Sequence, residues 1–298
     1  MSVMQPFGKP RILIIGCGDI GLRVAKQLVR HYKVFALTSQ ASRFAELRAV
    51  GATPLLGNLD EPNSLWRLSA IAETVIHLAP PQNMGRLDQR TRNLIRILSQ
   101  RPNQVRRLIY VSTTGVYGNH SGAQVCETTP VHPESERGWR RVNAERALRL
   151  WAPAHGASLT ILRVPGIYAQ DRLPLERIEA KTPALIPEED AYSNHIHSED
   201  LARLVCAAVY YGKPQRVINA CDGGETKMGD YFDQVADAFA LARPPRLPAQ
   251  ELQALVSPML WSFMRESRRV MNTRLGELKT ALRYPSVAAF LKTISKNP

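Results

Sequence analysis

The chain has no apolar run long enough to cross a bilayer. The longest, LVCAAVYY (Leu204–Tyr211), has eight residues, where about 20 are needed. The opening MSVMQPFGKPRILIIG does not read as a secretory leader, because its apolar stretch is short and runs straight into a glycine motif. These two absences predict a cytoplasmic protein without a membrane role. Cysteine is scarce. Cys17, Cys126, Cys206 and Cys221 show neither CxxC nor any other metal-ligand spacing, which excludes a disulfide framework or zinc knuckle and predicts reduced, mostly buried thiols. Acid is short: 26 Asp and Glu face 39 Lys and Arg, for a net charge of +13. Lysine is short too, with none between Lys33 and Lys181. The basic residues are scattered rather than gathered into a tail, so they read as an arginine-rich solvated surface and make nucleic acid an unfavoured partner. Internal repeats and low-complexity tracts are missing as well.

What is present is an ordinary globular composition, 44% apolar and 22% charged over 298 residues, enough for one large domain or two joined ones. The most informative stretch is RILIIGCGDIGLRVAKQLVRHY (Arg11–Tyr32). Ile12–Ile15 reads as a buried parallel strand. Gly16, Gly18 and Gly21 form G-x-G-x-x-G, and Leu22, Ala25, Leu28 and Val29 then recur at helical spacing. In such a turn the first glycine permits the bend, the second lets backbone approach a pyrophosphate, and the third lets helix lie close to strand. The helix start, with Asp19 and Ile20, offers free N–H groups and a positive dipole end to phosphate. The strand KVFAL (Lys33–Leu37) ends in TSQASR rather than in an acid. Thr38, Ser39 and Arg43 suit a 2′-phosphate, which favours NADP over NAD as cofactor.

Strand and helix signals keep alternating. A helix is expected over Arg43–Val50, a strand in ATPLLGNL, a short helix in NSLWRLSA, a strand in ETVIHLA, a helix over Leu87–Gln100, and further strands in VRRLIYVS and ASLTILRV. This alternation predicts an α/β fold with a doubly wound parallel sheet of Rossmann type. Beyond INACDGGE the pattern turns helical and proline-broken: Lys227–Leu241, Glu251–Met264 and YPSVAAFLKTI. The expected organisation is a dinucleotide domain over 1–170, with 193–220 returning to it, and a smaller, mostly helical substrate lobe from 171–192 and 221–298. RRVMNTR (Arg268–Arg274) reads as a basic helix surface rather than an anion site.

Several landmarks together resemble the extended short-chain dehydrogenase/reductase family, also called the NAD-dependent epimerase/dehydratase family. They are STTGVYG (Ser112–Gly118), RVPGIY (Arg163–Tyr168), HIHSEDLARLV (His195–Val205) and NLDEPNSL (Asn58–Leu65, with Asn58 where the family has Asp). The glycine pattern and HLAPP (His77–Pro81) are closer to its atypical branch. The resemblance implies a cofactor cradle that includes Asn58, Leu59, Leu78, Ala79, Pro80 and Pro165, and a small-molecule substrate. It also implies a catalytic Ser or Thr at Thr113 and a Tyr-x-x-x-Lys dyad on the following helix. Counting back from Asn143-Ala144-Glu145 puts Arg137 at the tyrosine position and Arg141 at the lysine position, and no Y-x-x-x-K occurs anywhere in the chain.

A guanidinium does not deprotonate near neutral pH, so Arg137 cannot act as general acid. Arg141 can still donate to ribose hydroxyls. The two are i,i+4 neighbours on one helix face and could together hold a carboxylate, a phosphate or a developing oxyanion. Candidate catalytic residues are therefore Thr113, Tyr117, Arg137 and Arg141, with Tyr168 as a second candidate proton donor. His195 and His197 share a strand face, but no third ligand at suitable spacing accompanies them, so no metal is expected. Ser198 is expected to cap the helix that follows. Two functional readings stay open: an NADP-dependent oxidoreductase or epimerase-like enzyme with a non-standard site, and a non-catalytic NAD(P)-binding sensor. Either a monomer or a homodimer fits.

Overall fold

The computed structural model describes residues 8–100 and 105–294. The amino-terminal stretch weighed above as a leader lies mostly outside them. The centre of the fold is a seven-stranded parallel sheet in the order Arg216–Asn219, Ser158–Val164, Arg107–Thr113, Thr74–His77, Arg11–Ile15, Lys33–Thr38, Thr53–Leu56. The reversal of strand order beside Arg11–Ile15 is the doubly wound arrangement the alternation predicts. Residues Ile12 to Ile15 have no solvent exposure, as expected for an all-apolar strand covered on both faces. The helix Asp19–Leu28 turns Val24, Ala25 and Leu28 inward, which fits the 3.6-residue apolar spacing.

By contact density the chain divides into two compact units: residues 1–111, 143–161 and 202–216, and residues 112–142, 162–201 and 217–298. In the first, Asp88 opens the helix Gln89–Leu98 by accepting the Thr91 N–H at 2.9 Å. The Trp151 indole N–H donates to Ser99 Oγ at 2.8 Å, which ties that helix to Glu136–Ala154. In the second, Tyr168, Ile178, Tyr231, Phe232, Val235 and Phe290 share an aromatic-rich core. Arg246 sits there among Asp190, Asp230 and Asp233, at 2.8–3.3 Å from their carboxylates.

The strand Arg216–Asn219 carries no sequence signal, because its four residues lie between a helix and a glycine-rich turn with no alternation to mark them, and two expectations need correction. The segment Glu251–Met264 forms two helices, Ala249–Leu255 and Pro258–Met264. Pro258 has no N–H to continue the first helix, and Ser257 caps the second by accepting from the Leu260 N–H at 3.2 Å. The segment NSLWRLSA forms 3₁₀ turns over Pro62–Leu68 rather than an α-helix.

Candidate functional site

The glycine loop is built by close approach. Gly16 has φ +82°, and a Cβ there would lie 2.5 Å from Ala79 Cα. Ala79 is held in place because the Leu78 N–H donates to the Ile15 carbonyl at 2.8 Å. The loop Leu78–Pro80 therefore runs directly beside Gly16. Gly21 is tight as well, with its would-be Cβ 3.1 Å from the Gly16 carbonyl oxygen. Gly18 differs from both: it is exposed, and nothing lies within 4 Å of a Cβ built on it. It is also the N-cap of Asp19–Leu28 and gives that helix no side-chain cap, so the first-turn N–H groups remain available to an external acceptor. Asp19 is engaged by Arg23 at 2.8 Å, and Ile20 is half-buried in the same turn.

Arg43 folds back onto this loop. Its Nη1 donates to the Cys17 carbonyl at 2.7 Å, and Nη2 pairs with Glu46 at 2.7 Å. The Cys17 thiol is pushed up to about 11, mainly by burial, while the Arg43 charge pulls the other way; it stays neutral at ordinary pH. A cleft of about 380 Å³ opens nearby, lined by Ser39, Gly57, Asn58, Glu61, Trp66 and Arg67 among others. Asn58 is fixed there by donating to Glu61 at 3.0 Å and accepting the Asp60 N–H at 3.0 Å. Leu59 is buried, and its carbonyl accepts from Asn93 at 2.8 Å. Pro80 is exposed, and its carbonyl accepts from Arg90 at 3.2 Å. One cofactor expectation is corrected: Thr38 is buried, and its hydroxyl accepts the Gln40 N–H at 3.2 Å. It shapes the turn, so Ser39 and Arg43 are the 2′-phosphate candidates that remain. Trp66 and Arg67 also line this cleft, and an exposed tryptophan in a short helix-like segment is the signal the sequence offers for them.

In the other unit, Thr113 Oγ1 accepts the Gly115 N–H at 3.1 Å, which orients the hydroxyl at the end of its strand. Gly118 has φ +73° and packs against the His132 carbonyl. Gly138 leaves so little room that a Cβ would lie 2.6 Å from Pro133, which pins the start of Glu136–Ala154 to this loop. Arg137 is exposed, with its guanidinium 4.0 Å from the Phe263 ring centroid. Its pKa is lowered, first by lost hydration and then by the charges of Arg140, Arg141 and Arg268, against an opposing pull from Glu266. Arg141 is half-buried one turn further on. Pro165 is half-buried after Ser158–Val164.

Tyr117 must be withdrawn as proton donor. It has no solvent exposure, its hydroxyl donates to Asn219 Oδ1 at 2.7 Å, and the Arg163 guanidinium lies 4.8 Å from its ring centroid. Burial raises its pKa. Tyr117→Phe should therefore act on stability: it leaves the buried Asn219 oxygen without this donor, at a cost of about 1–3 kcal/mol. Thermal or urea unfolding measures that loss. Any NADP(H) affinity that falls while stability holds would contradict the assignment.

Tyr168 is equally enclosed, at 1% exposure, and its pKa is raised, chiefly by burial. Its hydroxyl is likewise too enclosed to serve as the proton donor. Nor does Ser198 cap its helix, since its buried Oγ makes no hydrogen bond. Instead the His197 Nδ1 accepts the Glu199 N–H at 3.2 Å. His195 Nε2 pairs with Ser193 Oγ at 3.0 Å, and burial depresses its pKa to about 4. Among the described residues no group of three or more His, Cys, Asp or Glu is placed to hold a metal ion, and no helix is long and apolar enough to cross a membrane.

Residues 12–221 match the model of the NAD-dependent epimerase/dehydratase family. A conserved protein of unknown function from Silicibacter pomeroyi is 29% identical, with 97% of this chain and 99% of that one covered at a TM-score of 0.82. A putative NAD-dependent epimerase/dehydratase from Methylobacillus flagellatus is 24% identical, with 97% and 99% covered at a TM-score of 0.70. The human epimerase family protein SDR39U1 (isoform 2), solved with NADPH, is 17% identical, with 97% and 100% covered at a TM-score of 0.77. No curated relative matches the chain.

Proposed function

Since the chain belongs to the NAD-dependent epimerase/dehydratase family, whose members bind NAD(P) on a Rossmann fold, we propose that it is an NADP(H)-preferring oxidoreductase whose substrate oxygen is held by arginine in place of the tyrosine–lysine dyad. The observation that carries the cofactor reading is Arg43, which lies across the Cys17 carbonyl of the glycine loop with no acid at the end of Lys33–Thr38. The site fits a dinucleotide. The first-turn N–H groups at Gly18 carry no side-chain cap, the space above Gly18 is open, and Ser39 lines a cleft. Gly18, Asp19 and Ile20 would face the pyrophosphate, and Ser39 and Arg43 the 2′-phosphate. Asn58, Leu59, Leu78, Ala79 and Pro80 would wall the adenosine side, with Arg141 donating to ribose. Among the similar structures the human protein was solved with NADPH and two from Bacillus with NAD, so the preference for NADP rests on Ser39 and Arg43 alone.

When bound, the nicotinamide supplies or accepts a hydride. The chain's part is to hold the substrate. The Thr113 hydroxyl, oriented by Gly115, would donate to the reacting oxygen, Arg137 would anchor negative charge on the substrate without exchanging a proton, and the proton that turns the alkoxide into an alcohol would come from solvent water. A second reading, a cofactor-binding sensor with no turnover, draws support from Tyr117 and Tyr168: the hydroxyl of each is buried and unable to replace the missing acid.

Calorimetric titration tests the cofactor preference. NADPH is expected to bind at least about tenfold more tightly than NADH, the scale of one charge-assisted hydrogen bond, and Arg43→Ala should erase most of that ratio. Equal or tighter NADH binding refutes it. Single-turnover oxidation of bound NADPH across a panel of small carbonyl compounds separates the two readings. Turnover with any of them excludes the sensor, and a flat trace with all of them excludes the reductase.

A further inference from the structure

The rim formed by Glu136–Val142 and Pro258–Val270 carries an arrangement that the dinucleotide reading leaves unexplained. The Arg137 guanidinium carbon sits over the Phe263 ring, 4.0 Å from its centroid, close enough for the two planes to stack. Phe263 is itself 40% exposed, so the stacked pair faces solvent. A stacked guanidinium keeps its in-plane N–H donors free, because stacking uses the face of the group and not its edge. Three carboxylates lie along the same rim, and each has another arginine. Glu266 pairs with Arg268 at 2.8 Å, Glu134 with Arg265 at 3.2 Å, and Glu136 stands 3.8 Å from Arg140. Arg268 also donates to the Gly118 carbonyl at 2.8 Å, which fixes that pair against the loop after Tyr117. Among the described residues the Arg137 guanidinium has no carboxylate within ion-pair distance. Glu266, already paired with Arg268, attracts it from a distance, and the like charges of Arg140, Arg141 and Arg268 lie around it. A planar fork held by an aromatic floor, in a locally cationic setting, is built to receive a planar oxyanion edge-on.

We propose that Arg137, seated on Phe263, is a carboxylate-binding fork, so that the small molecule the protein takes carries a carboxylate. This rests on the oxidoreductase reading for its role, but not for its existence. A carboxylate meets the fork through two parallel N–H···O bonds, which a lysine cannot reproduce. Phe263 acts as a positioning residue: it limits the rotamers of Arg137 and so lowers the ordering cost of binding.

The test titrates malonate, and separately inorganic phosphate, into NADPH-saturated protein at constant ionic strength. Wild type, Arg137→Gln, Arg137→Lys and Phe263→Leu are compared. Malonate is expected to bind wild type saturably and more tightly than phosphate. Arg137→Gln should weaken it at least about tenfold, as expected for lost charged hydrogen bonds. Arg137→Lys should weaken it nearly as much, because the charge survives and the fork does not, and Phe263→Leu should weaken it severalfold. NADPH affinity should be the same in all four proteins. Because Arg137 and Phe263 are exposed, the variants are expected to fold, and their unfolding midpoints check that. No saturable malonate binding, binding indifferent to Arg137, full rescue by lysine, or phosphate bound more tightly than malonate would each overturn the proposal. Failure to bind NADPH would refute the cofactor reading alone, since malonate binding can then be read on the unliganded protein.

Discussion

Gly18→Val is expected to leave the protein folded and to abolish NADP(H) binding, whereas Gly16→Val is expected to damage the fold itself. The two glycines stand two residues apart in one motif, yet their surroundings are opposite. Gly16 occupies φ +82°, and a Cβ on it would overlap the Ala79 backbone, 2.5 Å from its Cα. The left-handed conformation costs a non-glycine residue about 1–2 kcal/mol, and displacing packed backbone adds roughly 1–3 kcal/mol. Gly16→Val should therefore lose about 2–5 kcal/mol of stability by these two effects together. At Gly18 the backbone has φ −76°, open to any residue, and nothing lies within 4 Å of the Cβ position. A valine there meets no clash and costs the empty protein only the small penalty of a poorer N-cap, but it fills the space over the helix N-terminus, where a pyrophosphate must come within hydrogen-bonding distance of backbone N–H groups. Loss of two charge-assisted bonds corresponds to at least about a hundredfold in affinity. Unfolding midpoints and calorimetric titration of both variants read the two effects separately. Unchanged affinity in Gly18→Val would show that this loop does not hold the cofactor. Unchanged stability in Gly16→Val would show that the approach of Ala79 is not as close as described.

This contrast also marks what the sequence could and could not convey. The G-x-G-x-x-G spacing, the β-branched run before it and the apolar helix after it identified the loop, because local geometry and local sequence say the same thing there. The alternation of strands and helices likewise pointed to the sheet. What it concealed were facts set by contacts that the pattern does not encode. Tyr117 looked like a cleft residue from its motif, but its hydroxyl meets Asn219, 102 residues away. Thr38 looked like a phosphate ligand, but its own turn uses the hydroxyl. The four-residue strand Arg216–Asn219 has too few residues to show a period and is specified by the neighbours it joins. The missing dyad, by contrast, was fully legible, since the absence of a Y-x-x-x-K pattern needs no structure to establish. What stands at those positions was not: Arg137 on Phe263 is a pairing across 126 residues that composition reads only as surplus charge.

Asp222→Asn is expected to make the protein more stable at pH 8 than wild type, by a margin that shrinks steadily toward pH 5. Asp222 is 4% exposed. One carboxylate oxygen accepts the Gly224 N–H at 3.0 Å, and the other makes no full hydrogen bond. The Tyr168 hydroxyl of the strand Gly166–Tyr168 lies near enough to favour the charged form without the geometry of a full bond, and Asp200 of the helix Ser198–Tyr211 opposes it. Burial dominates, and the carboxyl is pushed up to about 7. Between the ordinary value of 3.8 and about 7 the folded protein keeps a proton that the unfolded chain has released, so stability falls as pH rises across that window. His195, whose backbone carbonyl accepts the Asp222 N–H at 2.8 Å, has the opposite sign. Its pKa falls from 6.5 to about 4, so the unfolded chain holds the extra proton there and stability rises with pH. The two slopes nearly cancel between pH 4 and 6.5, and wild type should be almost flat in that range as far as these groups decide it. Asparagine keeps the Gly224 bond and offers Tyr168 an amide donor, but cannot ionise. Removing the falling slope exposes the rising one, and the gain over wild type between pH 5 and pH 8 should be on the order of 2 kcal/mol, well below the full linkage value because the site can relax. Urea unfolding of both proteins at several pH values measures it. A stability difference that does not change with pH would mean that Asp222 titrates in the folded protein much as it does in the unfolded chain.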